Sequence, residues 1–371
     1  MNFGFTQEQE ELRAMVKRFL SEKSPESEVR RLMATAEGYD PAVWRQMAEE
    51  LALQGLGIPE EYGGQGFGPV ELYVVFEEMG AALLCAPYFS TVALAANAVL
   101  QVGDQTDRAR YLPAMASGES IATLAITDDA GQWDLATTST TASQTASGWR
   151  LNGVRSYVTD GSVASVIFVP AMTGAGLSLF AVAGDDPGVE RTPLATMDQT
   201  RKQSRVVLSD AAGTLVGVEG GALEGLQTTL RIAAAALAAE QVGGAQRVLD
   251  SSVEYAKSRV QFGRPIGSFQ AIKHKCADML LDVESAKSAA YYAAWAAQEL
   301  NEELPVAASL AKSFCSEAYF HCAAENIQIH GGIGFTWEHS AHLYFKRAKR
   351  SELFLGDPAY HRELLAQRLG I

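Results

Sequence analysis

The sequence predicts an α+β multidomain protein with an N-terminal all-α domain, a middle antiparallel β-sandwich or barrel, and a C-terminal four-helix bundle. Three observations predict it. Apolar residues recur at helical spacing up to about Ser117. From Gly118 the chain turns to short runs rich in Thr, Val, Ile, Ser and aromatics, separated by Gly, Asp and Pro turns. From Ala222 it returns to long Ala- and Leu-rich segments with short connections. The boundaries fall at 1–117, 118–221 and 222–371, and 371 residues with 47% hydrophobic content are ample for a sizeable core.

Along the chain, Thr6 supplies a cap and Glu8, Gln9 and Glu10 an acidic first turn, with Leu12, Val16, Phe19 and Leu20 on one apolar face. The opening MNFGFTQEQEELRAMVKRFL carries early acids and no unbroken apolar core, so it reads as neither a signal peptide nor a membrane span. A second helix is expected from Pro41 to Leu53, others at Val70–Ala82 and Ser90–Leu100, and a short piece at Arg108–Leu112. Between them EEYGGQGFGP is a Gly-rich loop whose glycines allow conformations that other residues avoid. It either joins two helices or takes part at a substrate site.

The β-segment holds SIATLAIT, TTSTTASQT, WRLNGVRSYV, SVIFVPA, LSLFAVA and SRVVLS with no helices between them, which implies antiparallel pairing. The last segment predicts four long helices, Ala222–Arg259, Ser268–Leu300, Pro305–Ile329 and Glu338 to about Leu353.

The formal net charge of -14 argues against a nucleic-acid partner, which needs clustered Lys and Arg. Cys85, Cys276, Cys315 and Cys322 form no CxxC pair and read as buried thiols of a cytoplasmic protein, not as a disulfide frame or metal site. No GxGxxG motif or P-loop is present.

The segment Tyr255–Met279 organises the rest. Lys257 and Arg259 sit in a last helical turn, Gly263 and Pro265 break the helix, Ser268 is placed to cap the next, and Phe269, Ile272 and Cys276 form its apolar stripe. Arg259, three residues before Phe262, is expected on the same helical face, either gripping an anion or lying as a surface cation beside a core ring.

Arg259, Phe262, Gly263, Ile266, Phe269 and Gln270 together resemble the signature of the acyl-CoA dehydrogenase family of flavoproteins. The resemblance extends to Gln328, His330, Gly331, Gly332 and Gly334 in QIHGGIGFT, and to Tyr62, Gly63, Gly64 and Gly66 near the N-terminus. It covers nearly the whole chain and implies the same order of helical, β and four-helix domains.

The resemblance implies FAD, its ring between the β-domain and the C-terminal bundle and its adenosine end crossing a subunit interface. ITDDAGQWD stands where the family has TEPxxGSD: Ile126, Thr127, Gly131 and Asp134 match, while Asp129 replaces Pro and Trp133 replaces Ser. Backbone contacts survive such changes, because any non-Pro residue supplies an N–H. RSYVTDG resembles the KxWITNG strand, which puts Tyr157 against the flavin ring and Thr159 near its N5 edge. Arg259, Phe262 and Gln270 are then expected at the pyrophosphate and adenine, with Gln328, Gly331 and Gly332 approaching from the partner subunit. His330 reads as structural. The resemblance further implies an acyl-CoA substrate, an electron-transfer flavoprotein or similar acceptor, and a homo- or hetero-tetramer, with no membrane association.

The family's α,β-dehydrogenation of an acyl-CoA needs a base for the α-proton. Aligning RAKRSELFLGDPAYH on Arg347, Ala348, Lys349 and Gly356 puts Leu355 at the usual glutamate. The alternative position, on the first helix of the C-terminal bundle, holds Ala233, and Glu240 further along reads as a partner for a buried cation. Three readings stay open. A paralogous partner subunit supplies the base; Asp357, two residues after Leu355, has taken over; or the chemistry is that of a flavin oxidase, a monooxygenase or a non-catalytic flavin-binding scaffold. The small residues Ala233 to Ala236 allow either tight helix packing or a roomy cavity, the latter suited to a bulky acyl group such as a steroid side-chain thioester or another lipid thioester.

Overall fold

The computed structural model describes residues 4–371, so residues 1–3 of the N-terminal reading lie outside it. The N-terminal segment holds α1 (Gln7–Lys23), α2 (Glu26–Met33), α3 (Pro41–Glu49), α4 (Pro69–Ala81), a π-helical stretch (Phe89–Ala96) running into α5 (Asn97–Val102), and α6 (Gln105–Ala116). Seven strands follow: β1 (Ala122–Leu124), β2 (Thr141–Thr145), β3 (Gly148–Thr159), β4 (Val166–Thr173), β5 (Gly176–Ala183), β6 (Val189–Pro193) and β7 (Gln203–Val216). Then come α7 (Ala222–Ser258), the short strands β8 (Val260–Gln261) and β9 (Arg264–Pro265), α8 (Gln270–Gln298), α9 (Leu304–His330), α10 (Ala341–Leu353) and α11 (Pro358–Leu369).

Local chemistry accounts for most boundaries. Thr6 and Gln9 form a full capping box at α1, with Val16, Phe19 and Leu20 buried. Asp104 and Asp107 do the same for α6, which is longer than the short piece expected. The helix α3 stops at Glu49 instead of Leu53, where Ala52 enters left-handed backbone at φ 49°. Neither α2 nor α11 is among the expected elements, although each carries ordinary signals. Acids open α2 and arginines close it; Asp357 caps α11, with Pro358 in its first turn. A fifth helix therefore follows the four expected after Ala222.

The chain compacts into two units, one of Met1–Val29, Pro69–Leu84 and Ala234–Ile371, the other of Arg30–Gly68 and Cys85–Ala233. In the first, α4 crosses α7 with almost no space between backbones: a Cβ on Gly80 would lie 2.0 Å from the Glu240 carbonyl oxygen, and one on Gly243 1.7 Å from that of Glu77. Its core joins Val248, Leu249, Met279, Val283, Tyr319 and Cys322.

In the second unit β4, β2, β3, β7 and β5 pair in a closed circuit, with β1 added beside β4 and β6 beside β7. The barrel half of the expectation is thus the right one. Its pairing is not wholly antiparallel, because β1 and β2 both run parallel to β4 along one of its edges. Parallel neighbours need a crossover connection, and from β2 to β4 it runs through β3, while residues 125–140 form the loop that joins β1 to β2 along that edge. Leu151, Val158, Ile167, Val169, Phe180, Val182, Val206 and Leu208 fill the interior. In the same unit the Gly-rich loop folds back on residues 55–58, with Gln65 N–H donating to Gly55 and Gly66 N–H to Ile58, and a Cβ on Gly64 would collide with the Ile58 carbonyl at 1.9 Å.

Candidate functional site

Strand β3 slips register against β7 between Arg155 and Val158. Within that bulge Tyr157 adopts φ 57°, a left-handed conformation that costs a side-chain-bearing residue about 1–2 kcal/mol. Such strain concentrates at ligand sites. Its effect is to leave Tyr157 46% exposed between buried Ser156 and Val158. The expected contacts Ile126 and Thr127 are gathered beside it. Arg155 donates to the Ile126 carbonyl (2.7 Å), Ser156 N–H donates to the Thr127 carbonyl (2.9 Å), and the Thr127 hydroxyl donates to the Ser156 carbonyl (2.6 Å).

Asp129, where the family has Pro, receives a bidentate pair from Arg205 (3.0 and 2.8 Å) and a hydrogen bond from the Ser156 hydroxyl. Arg205 foremost, then Ser156, holds its carboxyl down at about 2. Asp134 caps a short turn by accepting from Ala136 N–H (3.0 Å). Trp133 is half-buried on the same loop. Thr159 is turned inward, 2% exposed, its carbonyl accepting from Thr123.

In the other unit, α7 ends at Ser258, so Arg259 and Phe262 do not share a helical face. The chain instead makes a β8–β9 hairpin whose tip residues Phe262 and Gly263 both have positive φ, 53° and 77°, the signature of a tight two-residue turn. Phe262 is 92% exposed and stands edge-on to Phe269, which Arg264 covers at 4.2 Å. Arg259 and Gln270 are exposed. Ser268 does not cap α8: its hydroxyl donates to Pro265, and Phe269 holds the cap position without a side-chain bond.

The QIHGGIG segment meets the end of α7, with His330 stacked on Tyr255 at 4.3 Å and donating from Nδ1 to the Asn326 carbonyl, both structural roles. Burial pushes the His330 imidazole below its ordinary value. Gln328, Gly331 and Gly332 are exposed. Gly331 needs its φ of 63° to end α9, but Gly332 has ordinary φ, and a Cβ placed on it would meet nothing within 4 Å. No described neighbour therefore accounts for a glycine at 332, whereas a phosphate approaching the backbone would.

At the positions considered for a base, Leu355 is buried (5% exposed) in left-handed backbone at φ 62°, and Ala233 is fully buried. Asp357 is exposed, with its carboxylate accepting from Tyr360 N–H (2.7 Å) as the cap of α11. Glu240 forms a buried ion pair with Arg347 (3.1 Å), the cation partner expected of it. Two further groups pin the 352–357 turn, and no motif or spacing in the sequence points to either. Lys312, fully buried, donates to the carbonyls of Glu352 (3.0 Å) and Gly356 (2.9 Å) and to Ser316 Oγ (2.9 Å), and burial draws it down to about 7. His361 Nε2 donates to the Leu355 carbonyl (2.9 Å), and burial lowers that imidazole to about 4.

The chain belongs to the acyl-CoA dehydrogenase family: the family's N-terminal domain matches residues 6–119, its middle domain 123–211 and its C-terminal domain 223–370. The helical, β and helical order is that family's fold, and FAD is its cofactor. Among relatives, the acyl-CoA dehydrogenase IpdE2 of Mycolicibacterium smegmatis is 35% identical over 95% of this chain and 96% of its own. Among solved structures, the ChsE4–ChsE5 complex from Mycobacterium tuberculosis aligns at TM-score 0.92 with 30% identity, covering 100% of this chain and 99% of that one. The Tcur3481–Tcur3483 steroid acyl-CoA dehydrogenase variant aligns at 0.90 with 29% identity, covering 98% of both chains. The bulged Tyr157 and the tied 126–134 loop in one unit, and the open Gly332 backbone in the other, are each chemically compatible with such a cofactor.

Proposed function

We propose that this chain is a flavin-bearing subunit of an FAD-dependent acyl-CoA dehydrogenase that introduces an α,β double bond into an acyl-CoA thioester, in a tetramer whose paralogous partner chain supplies the catalytic base. The observation that carries this reading is Leu355, a buried aliphatic side chain at the position aligned with the family's glutamate. Ala233 is equally unable to take a proton, and Asp357 is engaged as a helix cap. That a solved relative is a complex of two differently named chains supports the mixed assembly, and the steroid enzyme among the structural neighbours supports a steroid side-chain or similar lipid thioester as substrate.

In this reading the bound flavin supplies a hydride acceptor for the β-hydrogen. Tyr157 would pack on its ring, and the backbone of Ile126 and Thr127, with Trp133 and Thr159 close by, would line the ring's edge. Arg259 would offer charge to the pyrophosphate, Phe262 and Gln270 would flank the adenine side, and Gln328, Gly331 and Gly332 of a second subunit would approach the diphosphate. A carboxylate on the partner chain would take the α-proton, and an electron-transfer flavoprotein or similar acceptor would take the electrons. The four cysteines, all free thiols, suit a cytoplasmic protein. Among the described residues no helix is long and apolar enough to cross a membrane.

The test is anaerobic addition of acyl-CoA to the purified chain, alone and after co-expression with a paralogous subunit, while flavin absorbance is followed. Bleaching only in the mixed complex is expected. Bleaching by the lone chain would remove the need for a partner, and absence of flavin in both samples would favour a scaffold.

A further inference from the structure

Arg155 is 1% exposed, and its guanidinium reaches three segments of the barrel unit at once. Nη1 donates to the Ile126 carbonyl at 2.7 Å, and Nη2 donates to the Thr138 hydroxyl and the Pro170 carbonyl. None of these acceptors is a carboxylate, and its Nε is buried with no hydrogen-bond partner. Desolvating a cation whose direct acceptors are all neutral is expensive, and burial, opposed by the charge of nearby Asp128, draws the group down to about 10. An aliphatic residue would fill the same interior at lower cost, so packing alone does not account for an arginine here.

The geometry does account for it. Ile126 begins the loop from β1 to β2, Thr138 stands near its end, and Pro170 lies on β4, the strand beside which both β1 and β2 run. The next residue along β3, Ser156, is bonded in both directions to Thr127, and the residue after that is Tyr157 in its left-handed bulge. One planar fork therefore fixes the spacing between the loop's two ends and the strand that presents Tyr157. A lysine, with a single point charge, does not reproduce a fork of this kind.

We propose that Arg155 is the positioning residue of the flavin-contact loop: it clamps Ile126 and Thr138 to β4, so that the loop backbone and the Tyr157 ring are held in register before flavin binds. Arg155 touches neither substrate nor flavin in this arrangement. The proposal rests on the reading of Ile126, Thr127 and Tyr157 as flavin contacts.

The experiment compares wild type with Arg155→Met, Arg155→Lys and Thr138→Val, each in its FAD-loaded assembly and again after flavin removal. Two quantities are read, amide hydrogen exchange across 126–138 and the FAD dissociation constant. Thr138→Val is nearly isosteric and removes one acceptor, so it remains informative if Arg155→Met does not fold. In the flavin-free protein, exchange should rise in 126–138 and around Tyr157 while β5 and β7 keep their protection. FAD affinity should fall about tenfold or more for Arg155→Met, because binding must then also order the released loop, and by less for Arg155→Lys and Thr138→Val. Wild-type FAD binding with loop exchange unchanged in the variants overturns the proposal alone. So does faster loop exchange with unchanged FAD affinity. A wild-type assembly that takes up no FAD overturns the flavin reading itself, and the functional half of the proposal with it.

Discussion

Leu355 carries the sharpest consequence at the scale of a single residue. Its backbone is left-handed and its carbonyl is held by His361, while Lys312 holds the next carbonyl, so the turn is fixed independently of which side chain occupies 355. Leu355→Glu should therefore give the lone chain the ability to bleach its own flavin with acyl-CoA, raising the rate of reduction by about 10²-fold or more, the usual contribution of a positioned base. Asp357→Asn should leave that chemistry unchanged and lower stability by less than about 1 kcal/mol, since Asn caps helices nearly as well as Asp. His361 sets a pH dependence. Its imidazole titrates near 4 in the folded chain against an ordinary value of 6.5, so the unfolded chain binds more protons between those values. Stability should fall as pH drops from about 6.5 towards 4, and thermal melts of His361→Gln across that window should show a shallower loss.

The 125–140 loop and the α4–α7 crossing matter most among the elements. The loop was legible as a motif in the sequence, but its ties were not: Arg155 and Arg205 lie far along the chain from the atoms they hold, and a buried guanidinium has no sequence period. Asp129 shows the same limit. As a replacement for Pro it departs from the family's loop, yet with Arg205 and Ser156 it anchors that loop by a different chemistry. At the helix crossing, backbone approaches of 1.7 and 2.0 Å to would-be Cβ atoms leave no room for alanine. Gly243→Ala should cost about 1–3 kcal/mol through overpacking, read as a lower denaturant midpoint with unchanged slope. A midpoint within experimental error of wild type would mean that the two helices can move apart at no cost.

For the whole molecule, exposed aromatics point to assembly. Phe262 is 92% exposed, Phe335 81% and Trp337 63%. On the proposed assembly, Phe262→Ser should lower both the tetramer fraction and the FAD bound per chain, measured by native mass and flavin absorbance, without changing the melting of the barrel unit. The sequence by itself determined the three-part order, the family, the structural part of His330 and the absence of a carboxylate at 355 and 233, because periodicity, turn residues and short motifs are local and act within a few residues of where they are read. Only the tertiary structure decided that the β-segment closes as a barrel with parallel pairings at β4, that Arg259 and Phe262 sit on a hairpin instead of a helix, that Asp357 is a cap, that Arg155 ties the 126–138 loop, and that Lys312 and His361 hold the 352–357 turn. Those outcomes depend on hydrogen bonds and burial between residues distant in the chain, and nothing in the local pattern of a sequence specifies which buried cation will meet which carbonyl.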